Sequence, residues 1–492
     1  MRSFKYALPQ CDNSIRGLNQ EGIMFNARER SQPITFFASL FIACLLVAAV
    51  ATAAPFITLS KKIGPPTSEI LVSGRGFKPN AKLDIYFDSK DEALAIADDA
   101  GSFSRLAIPT PTSALPGRHW VSAVERSGRN QAKMRFDVHS NWRQFHRLDM
   151  VRFNRFENVL NVHNVGNLAL KWRYPSGGSV ISSPAVADGI LYVGSEDTNL
   201  YALDARTGAK VWSYRTPGGC VCSSPAVESG VVYFGSDYPD GTFYALNAST
   251  GAKLWNVPME AVASPAVVKG VVFLGLRSGG MDALDASTGV TVWSYATGDV
   301  FSSPAVANGM VYFGSLDHNV YAVDAQTGTN VWTYATGSSV SSSPAVANGV
   351  VYIGSDDHNL YALDAETGAK LWSYPTRYTV RSAPAVANGV VYVTSSNLNS
   401  GDISALNATT GTELWRKTSL NASTSPAVAN GVVYFGSNNY DVYALNAQTG
   451  DKLWSHATGY FVSSSPAVAD GVVYIGSDDY EIYAFGLPDG LR

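Results

Sequence analysis

The sequence predicts an all-β chain: an eight-bladed β-propeller closed by its terminal strands and preceded by a small β-sandwich. Three observations lead there. A unit of about 40 residues recurs eight times in the C-terminal two-thirds of the chain. Strand-like alternation without a helical period fills 56–140, and a charge-free apolar run sets both regions apart from the first residues. Composition agrees, since 46% of the 492 residues are hydrophobic, 15% are charged and only four are Cys. A disordered chain and a disulfide-stapled one are both excluded.

Residues 34–54 form the apolar run, preceded by Arg28-Glu29-Arg30 and closed by the small-residue site Ala51-Thr52-Ala53. These are the parts of a secretory signal peptide, although about 20 apolar residues also suffice for a signal anchor. Met24 offers a second start with a flank of ordinary length. Cys44 fits poorly as a lipid-attachment cysteine, because Phe41 stands where such sites usually carry Leu. The expectation is export to the periplasm, the cell surface or the medium, with membrane anchoring through 34–54 as the variant.

The sandwich is expected at 56–140, with strands at 70–77, 82–88, 101–109 and 119–125 bounded by Gly, Pro, Asn and Asp. The turns Gly74-Arg75-Gly76-Phe77 and Gly101-Ser102-Phe103 resemble those of the immunoglobulin-like IPT/TIG modules of cell-surface proteins. That resemblance implies an Ig-like β-sandwich and no particular chemistry. A basic lead-in occupies 141–169, and the propeller is expected at 170–492.

The propeller reading rests on the tetrapeptide SPAV, once APAV, whose prolines fall at 184, 225, 265, 304, 344, 384, 426 and 466. Each copy continues with two bulky-and-small alternating pieces and a Trp-bearing piece, so four strands fit one repeat. The eighth copy ends at Tyr483-Ala484-Phe485 without the Trp piece, and Leu170-Lys171-Trp172-Arg173-Tyr174 supplies it from the front. Such a closure pairs both edges of the last blade. Asp204, Asp285, Asp324 and Asp364, with Asn247, Asn407 and Asn446, stand ahead of Thr-Gly as turn residues. Trp172, Trp212, Trp255, Trp293, Trp332, Trp372, Trp415 and Trp454 recur at the same period and are expected to pack between blades.

Ala-Leu-Asp-Ala-x-Thr-Gly followed by Trp resembles the tryptophan-docking motif of the pyrroloquinoline-quinone (PQQ) repeat propellers, and 141–177 resembles the segment leading into them. The resemblance covers 141–492. It implies two very different functional groups: quinoprotein alcohol and sugar dehydrogenases holding PQQ and Ca²⁺ in a central funnel, and BamB-like outer-membrane assembly lipoproteins that bind proteins and carry no cofactor.

A site must appear as a departure from the repeat, because identical blades make no asymmetric pocket. On the loops entering the inner strands the departures are Cys220, Cys222, Glu260, Asp299, Tyr378, Arg381, Tyr460 and Phe461. After the second strands they are Glu196, Asp197 and Arg277. Cys220 and Cys222 are the nearest analogue of the dehydrogenases' adjacent pair. Two residues apart on a strand, they are either a redox-labile disulfide or two packed thiols. Glu260, Asp299 and Arg381 could supply carboxylates and a cation to an enzyme. Against this, repeat length is nearly constant, no CxxCH haem motif follows, and His318 and His358 occupy equivalent turns rather than a ligand cluster. No catalytic residue and no metal site is assigned.

Charge is distributed unevenly. Residues 176–492 carry 13 Lys and Arg against 26 Asp and Glu, and the rest carry 23 against 14, giving the net −4. Nine basic residues lie between 129 and 173. A surface this acidic argues against nucleic acid. The basic collar either docks on the propeller's flank or rim or approaches an anionic envelope surface. The expectation is a monomeric, non-catalytic interaction scaffold with an envelope protein as partner. The alternatives are a PQQ- and Ca²⁺-dependent dehydrogenase and a surface-polysaccharide binder.

Overall fold

Branched and aromatic residues alternating with small ones form strands throughout the computed structural model, which describes residues 54–490 apart from Arg129, 146–149 and Ser278. Met24, Cys44 and all but the last residue of 34–54 lie outside the described residues.

The N-terminal strands are β1 (Phe56–Leu59), β2 (Ile63–Gly64), β3 (Glu69–Arg75), β4 (Lys82–Phe87), β5 (Lys90–Ile96), β6 (Phe103–Pro109), β7 (Gly117–Glu125) and β8 (Gln131–Val138). They make two sheets, ordered β1-β3-β6 and β2-β8-β7-β4-β5. Inward residues of both sheets share one core that includes Ile70, Leu83, Ile85, Val121 and Phe136. Sequence reading misses β1, β2, β5 and β8, and the Lys-Asp-Glu start of β5 hides its alternation.

Eight further sheets follow, seven of four antiparallel strands and one that carries a fifth strand besides its four. Blade 1 is Ala185–Ala187, Ile190–Gly194, Asn199–Asp204 and Lys210–Arg215. The inner three-residue strands neighbour one another in sequence order, and the eighth (Ala467–Ala469) returns to the first. Small SPAVA side chains permit this crowding around the axis. Blade 8 takes its outer strand from the front of the ring. β10 (Ala169–Pro175) pairs antiparallel with Glu481–Gly486, from Ala169↔Gly486 to Pro175↔Glu481.

Two circuits join neighbouring blades. Each indole donates to a carbonyl of the following blade, as Trp332 does to Ala365 at 3.0 Å, and Trp454 closes the circuit on Leu168. The ring lies against the Gly of the Thr-Gly turn. At Gly368 (φ +73°) an added Cβ would sit 2.7 Å from Trp332, so that position requires glycine. Nearer the axis, the N–H of each second serine of the SSP sequence donates to the hydroxyl of its successor, from Ser183 to Ser224 and on to Ser264, Ser303 and Ser343. The circuit resumes with Ala383 to Ser425 to Ser465 and back to Ser183. Ala383 has no hydroxyl to offer Ser343.

The basic lead-in divides: 157–168 docks on the ends of blades 7 and 8, where Glu157 accepts from the Gly471 N–H and the Leu160 carbonyl from Asn430, while the earlier residues go to neither flank nor rim. Residues 142–145 and 150–154 lie along the inside of the ring at the end where the first strand of each blade turns into the second, and within each stretch successive residues meet successive blades. Trp142 exchanges both backbone hydrogen bonds with Val186 of blade 1. The Arg143 carbonyl accepts from Val227 of blade 2, and the Gln144 side chain from Val267 of blade 3. Beyond 149, the carbonyls of Met150, Val151 and Arg152 accept from Val346, Val386 and Val428 of blades 5, 6 and 7. β9 (Phe153–Asn154) extends blade 7 in parallel, and Asn154 donates to the Val468 carbonyl of blade 8 at 2.8 Å. The strap therefore satisfies inner-edge N–H groups that would otherwise face an open channel.

Arg152 is its centrepiece and is fully buried. Its guanidinium donates to the carbonyls of Phe145 (2.5 Å), Pro426 (3.0 Å), Pro466 (3.1 Å) and Ser425 (3.4 Å) and lies 4.5 Å from the Phe145 ring. Burial pulls its pKa down to about 9, which leaves it charged at neutral pH. The collar's charge is thus partly internal: carbonyl dipoles, not an anionic surface, receive it. The sandwich is tied on just ahead of the strap, where His139 Nδ1 and the Ser140 N–H both reach the Asp470 carboxylate at 2.6 Å.

Candidate functional site

The strap occupies one mouth of the channel, so the sequence-nominated residues stand at the other. They lie on two kinds of loop: those entering the inner strands, and the turns from second to third strands. The two kinds are pinned together in every blade. The N–H of Asp237 donates to Cys220 O, that of Arg277 to Glu260 O, that of Leu316 to Asp299 O and that of Asp478 to Phe461 O. After each pinned residue comes a buried apolar side chain, such as Val221, Val300 or Val462, which fills the space over a glycine of a second strand. The next side chain is partly or fully exposed. Cys222, Phe301 and Arg381 occupy that register in blades 2, 4 and 6.

Cys220 and Cys222 are joined by a disulfide with Cα atoms 5.3 Å apart. Glu260 and Asp299 sit in separate blades and serve the ring through their backbone carbonyls. Asp197 is a turn residue: Tyr201 donates to it at 2.5 Å and the Gly177 N–H at 2.7 Å. Arg381 forms a bidentate pair with Asp356 of blade 5, both contacts 2.9 Å. Arg277 reaches Asp237 of blade 2 at 3.1 Å, with its guanidinium 5.8 Å from the Phe301 ring. Tyr378 lies under Arg377 at 5.3 Å.

Tyr460 and Phe461 are brought together with Tyr440. The ring centroids are 4.7 Å apart for Tyr460–Phe461, 5.4 Å for Tyr440–Tyr460 and 5.2 Å for Tyr440–Phe461. Sequence reasoning missed Tyr440, and with it Asp237, Asp356 and Asp478. Asp237, Asp356 and Asp478 occupy the turn register that yielded Glu196 and Arg277, whereas Tyr440 stands two residues further along its turn, in the register of Thr198 and Tyr480. Aligning the eight turns residue by residue would have exposed them.

A quinone–calcium centre of the kind the resemblance implies needs about six to eight oxygen donors, several of them carboxylate, and cationic side chains free to face the quinone. Among the described residues no three His, Cys, Asp or Glu side chains converge. Arg277 and Arg381, the cations at this mouth named above, are engaged by carboxylates of neighbouring blades. The donor set does not fit such a centre, and we derive no step through one.

The family model described as outer membrane protein assembly factor BamB matches residues 119–317, 239–340, 316–398 and 399–492. The chain is 30% identical over 148 residues to the quinohemoprotein alcohol dehydrogenase of Comamonas testosteroni, covering 30% of this chain and 16% of that protein. It is 35% identical over 137 residues to the quinohemoprotein alcohol dehydrogenase ADH-IIG of Pseudomonas putida, 27% of this chain and 15% of that one. These matches span less than a fifth of either relative. Among solved structures, BamB from Moraxella catarrhalis superposes with a TM-score of 0.57 at 21% identity, covering 65% of this chain and 99% of that one. The Comamonas testosteroni dehydrogenase gives 0.61 at 18% identity, with 71% and 80% covered. At these identities the structural likeness establishes the propeller fold alone.

Proposed function

This chain belongs to the family described as outer membrane protein assembly factor BamB, and on that premise we propose that it is a non-catalytic protein-interaction scaffold exported to the cell envelope. The observation that carries the proposal is the state of the open mouth. Its arginines are held by the ring's own carboxylates, while aromatic side chains stand exposed on the same face: Tyr238, Tyr440, Tyr460 and Tyr480. Exposed aromatics on a rigid rim suit a protein interface better than a buried reaction centre. The strap favours one-sided use as well, because it leaves a single mouth for a partner.

The rival is a PQQ- and Ca²⁺-dependent dehydrogenase, favoured by the quinohemoprotein relatives and by the Cys220–Cys222 disulfide at the mouth. Purified protein mixed with PQQ and Ca²⁺ and then desalted separates the two. The scaffold reading expects no quinone absorbance to stay with the protein and no dye reduction with alcohols or sugars; retained quinone with turnover would overturn it. For the scaffold itself, alanine at Arg381 or Tyr460 should weaken capture of an envelope partner without changing the melt.

A further inference from the structure

The first residue of the turn between second and third strands occupies one ring at the open mouth, and four of its members are carboxylates: Glu196, Asp237, Asp356 and Asp478. Two of the four hold an arginine from the adjoining blade. Asp356 takes Arg381 in a bidentate pair, and Asp237 takes Arg277, whose guanidinium lies over Phe301. Asp478 and Glu196, neighbours in blades 8 and 1, have no cation partner among the described residues. Asp478 accepts the Ser463 hydroxyl on one oxygen at 2.8 Å, and its other oxygen is buried with no partner. Beside it stands the aromatic cluster, joined by the hydrogen bond from the Asp478 N–H to the Phe461 carbonyl. Tyr440 is 40% and Tyr460 47% exposed, so their rings are open to a visitor.

We propose that this sector, Asp478 and Glu196 with Tyr460, Phe461 and Tyr440, receives an arginine side chain of a protein partner, the guanidinium pairing with the carboxylates and lying on the aromatic faces. The inference rests on the scaffold reading and names the chemistry its partner presents. The molecule supplies its own template: Arg277 between Asp237 and Phe301 is this arrangement, occupied from within. Arginine suits the site better than lysine, because a planar fork matches a carboxylate and stacks on a ring, whereas an ammonium is a strongly hydrated point charge. Burial, together with the negative charge of Glu196, holds Asp478 above the usual aspartate range against the Ser463 hydrogen bond. An incoming cation relieves that unfavourable ionisation.

The test is fluorescence anisotropy of labelled hexa-arginine and hexa-lysine peptides on the whole chain at about 50 mM salt, where exposed charges are weakly screened. Hexa-arginine should bind at least about fivefold more tightly than hexa-lysine. The double variant Asp478→Asn, Glu196→Gln should lose about tenfold or more. Tyr460→Ala should erase the preference between the peptides, while Glu366→Gln, which removes a charge from an exposed turn after the third strand of blade 5, changes nothing. Equal binding of both peptides, or equal losses in the site and control variants, overturns the proposal. So does binding of cellohexaose that depends on Tyr460 in the absence of peptide binding, which would assign the rings to sugar. Partner capture that depends on Arg381 and Tyr460 but not on Asp478 would leave the scaffold standing and remove the arginine slot.

Discussion

Replacing Arg152 with methionine tests whether the strap is a structural axle. The substitution keeps an unbranched apolar stem and deletes the guanidinium, leaving the carbonyls of Phe145, Ser425, Pro426 and Pro466 without their donor. Hydrogen bonds to charged groups contribute about 1.5–3 kcal/mol each. Four of them set an upper bound of about 6–12 kcal/mol, from which relief of the buried charge must be subtracted. A net loss of about 3–5 kcal/mol is expected, in the range seen when one member of a buried polar network is removed. Arg152→Lys should fall between, since three donors on a flexible stem cannot fork to carbonyls of blades 7 and 8 together. Arg143→Met, in the same strap but paired at the surface with Asp188 at 3.2 Å, should cost under about 1 kcal/mol. Urea unfolding followed by tryptophan fluorescence reads all three. If Arg152→Met and Arg143→Met lose the same stability, the strap is a passenger and the reasoning fails.

Two further outcomes follow from the ring. Ala383→Ser should complete the serine circuit by giving the Ser343 N–H an acceptor and stabilise the protein by about 1 kcal/mol; a lower melting temperature would show that blade 6 has no room for the hydroxyl its seven counterparts carry. Asp317 is lowered to about 2, because hydrogen bonds from Thr297 and Tyr321 outweigh the burial that would raise it. A depressed carboxylate stabilises above its unfolded pKa of 3.8 and loses that contribution as pH falls toward 2. Stability should therefore decline across that window and decline less steeply in Asp317→Asn, with parallel acid limbs counting against the assignment.

The repeat made the ring legible, because SPAV and Trp spacing report directly on strand order, and the missing eighth Trp strand announced the closure through β10. The strap was not legible. Most of its described contacts to the blades run through backbone groups, a geometry with no side-chain period, and Arg152 reads on sequence as one more surface cation in a basic stretch. The mouth was half legible. Arg381 and Phe461 depart from the consensus and were found, whereas Asp356 and Asp478 look like ordinary turn residues until the fold places an arginine beside one and not the other. Glu260 and Asp299 carry a second kind of information that sequence could not show, since their backbone carbonyls pin the neighbouring turns.

Both fastenings of the ring, β10 on the outside of blade 8 and the strap within, are laid down before the first blade, and both wait for the last two. Arg152 meets Pro466, and Asn154 meets Val468, across a separation of 314 residues. During synthesis the chain must keep its leading segment available until nearly every residue has emerged. A truncation in blade 8 would free β10 and cut the strap's final contacts to Pro466 and Val468 at once, and so remove more than an eighth of what holds the ring.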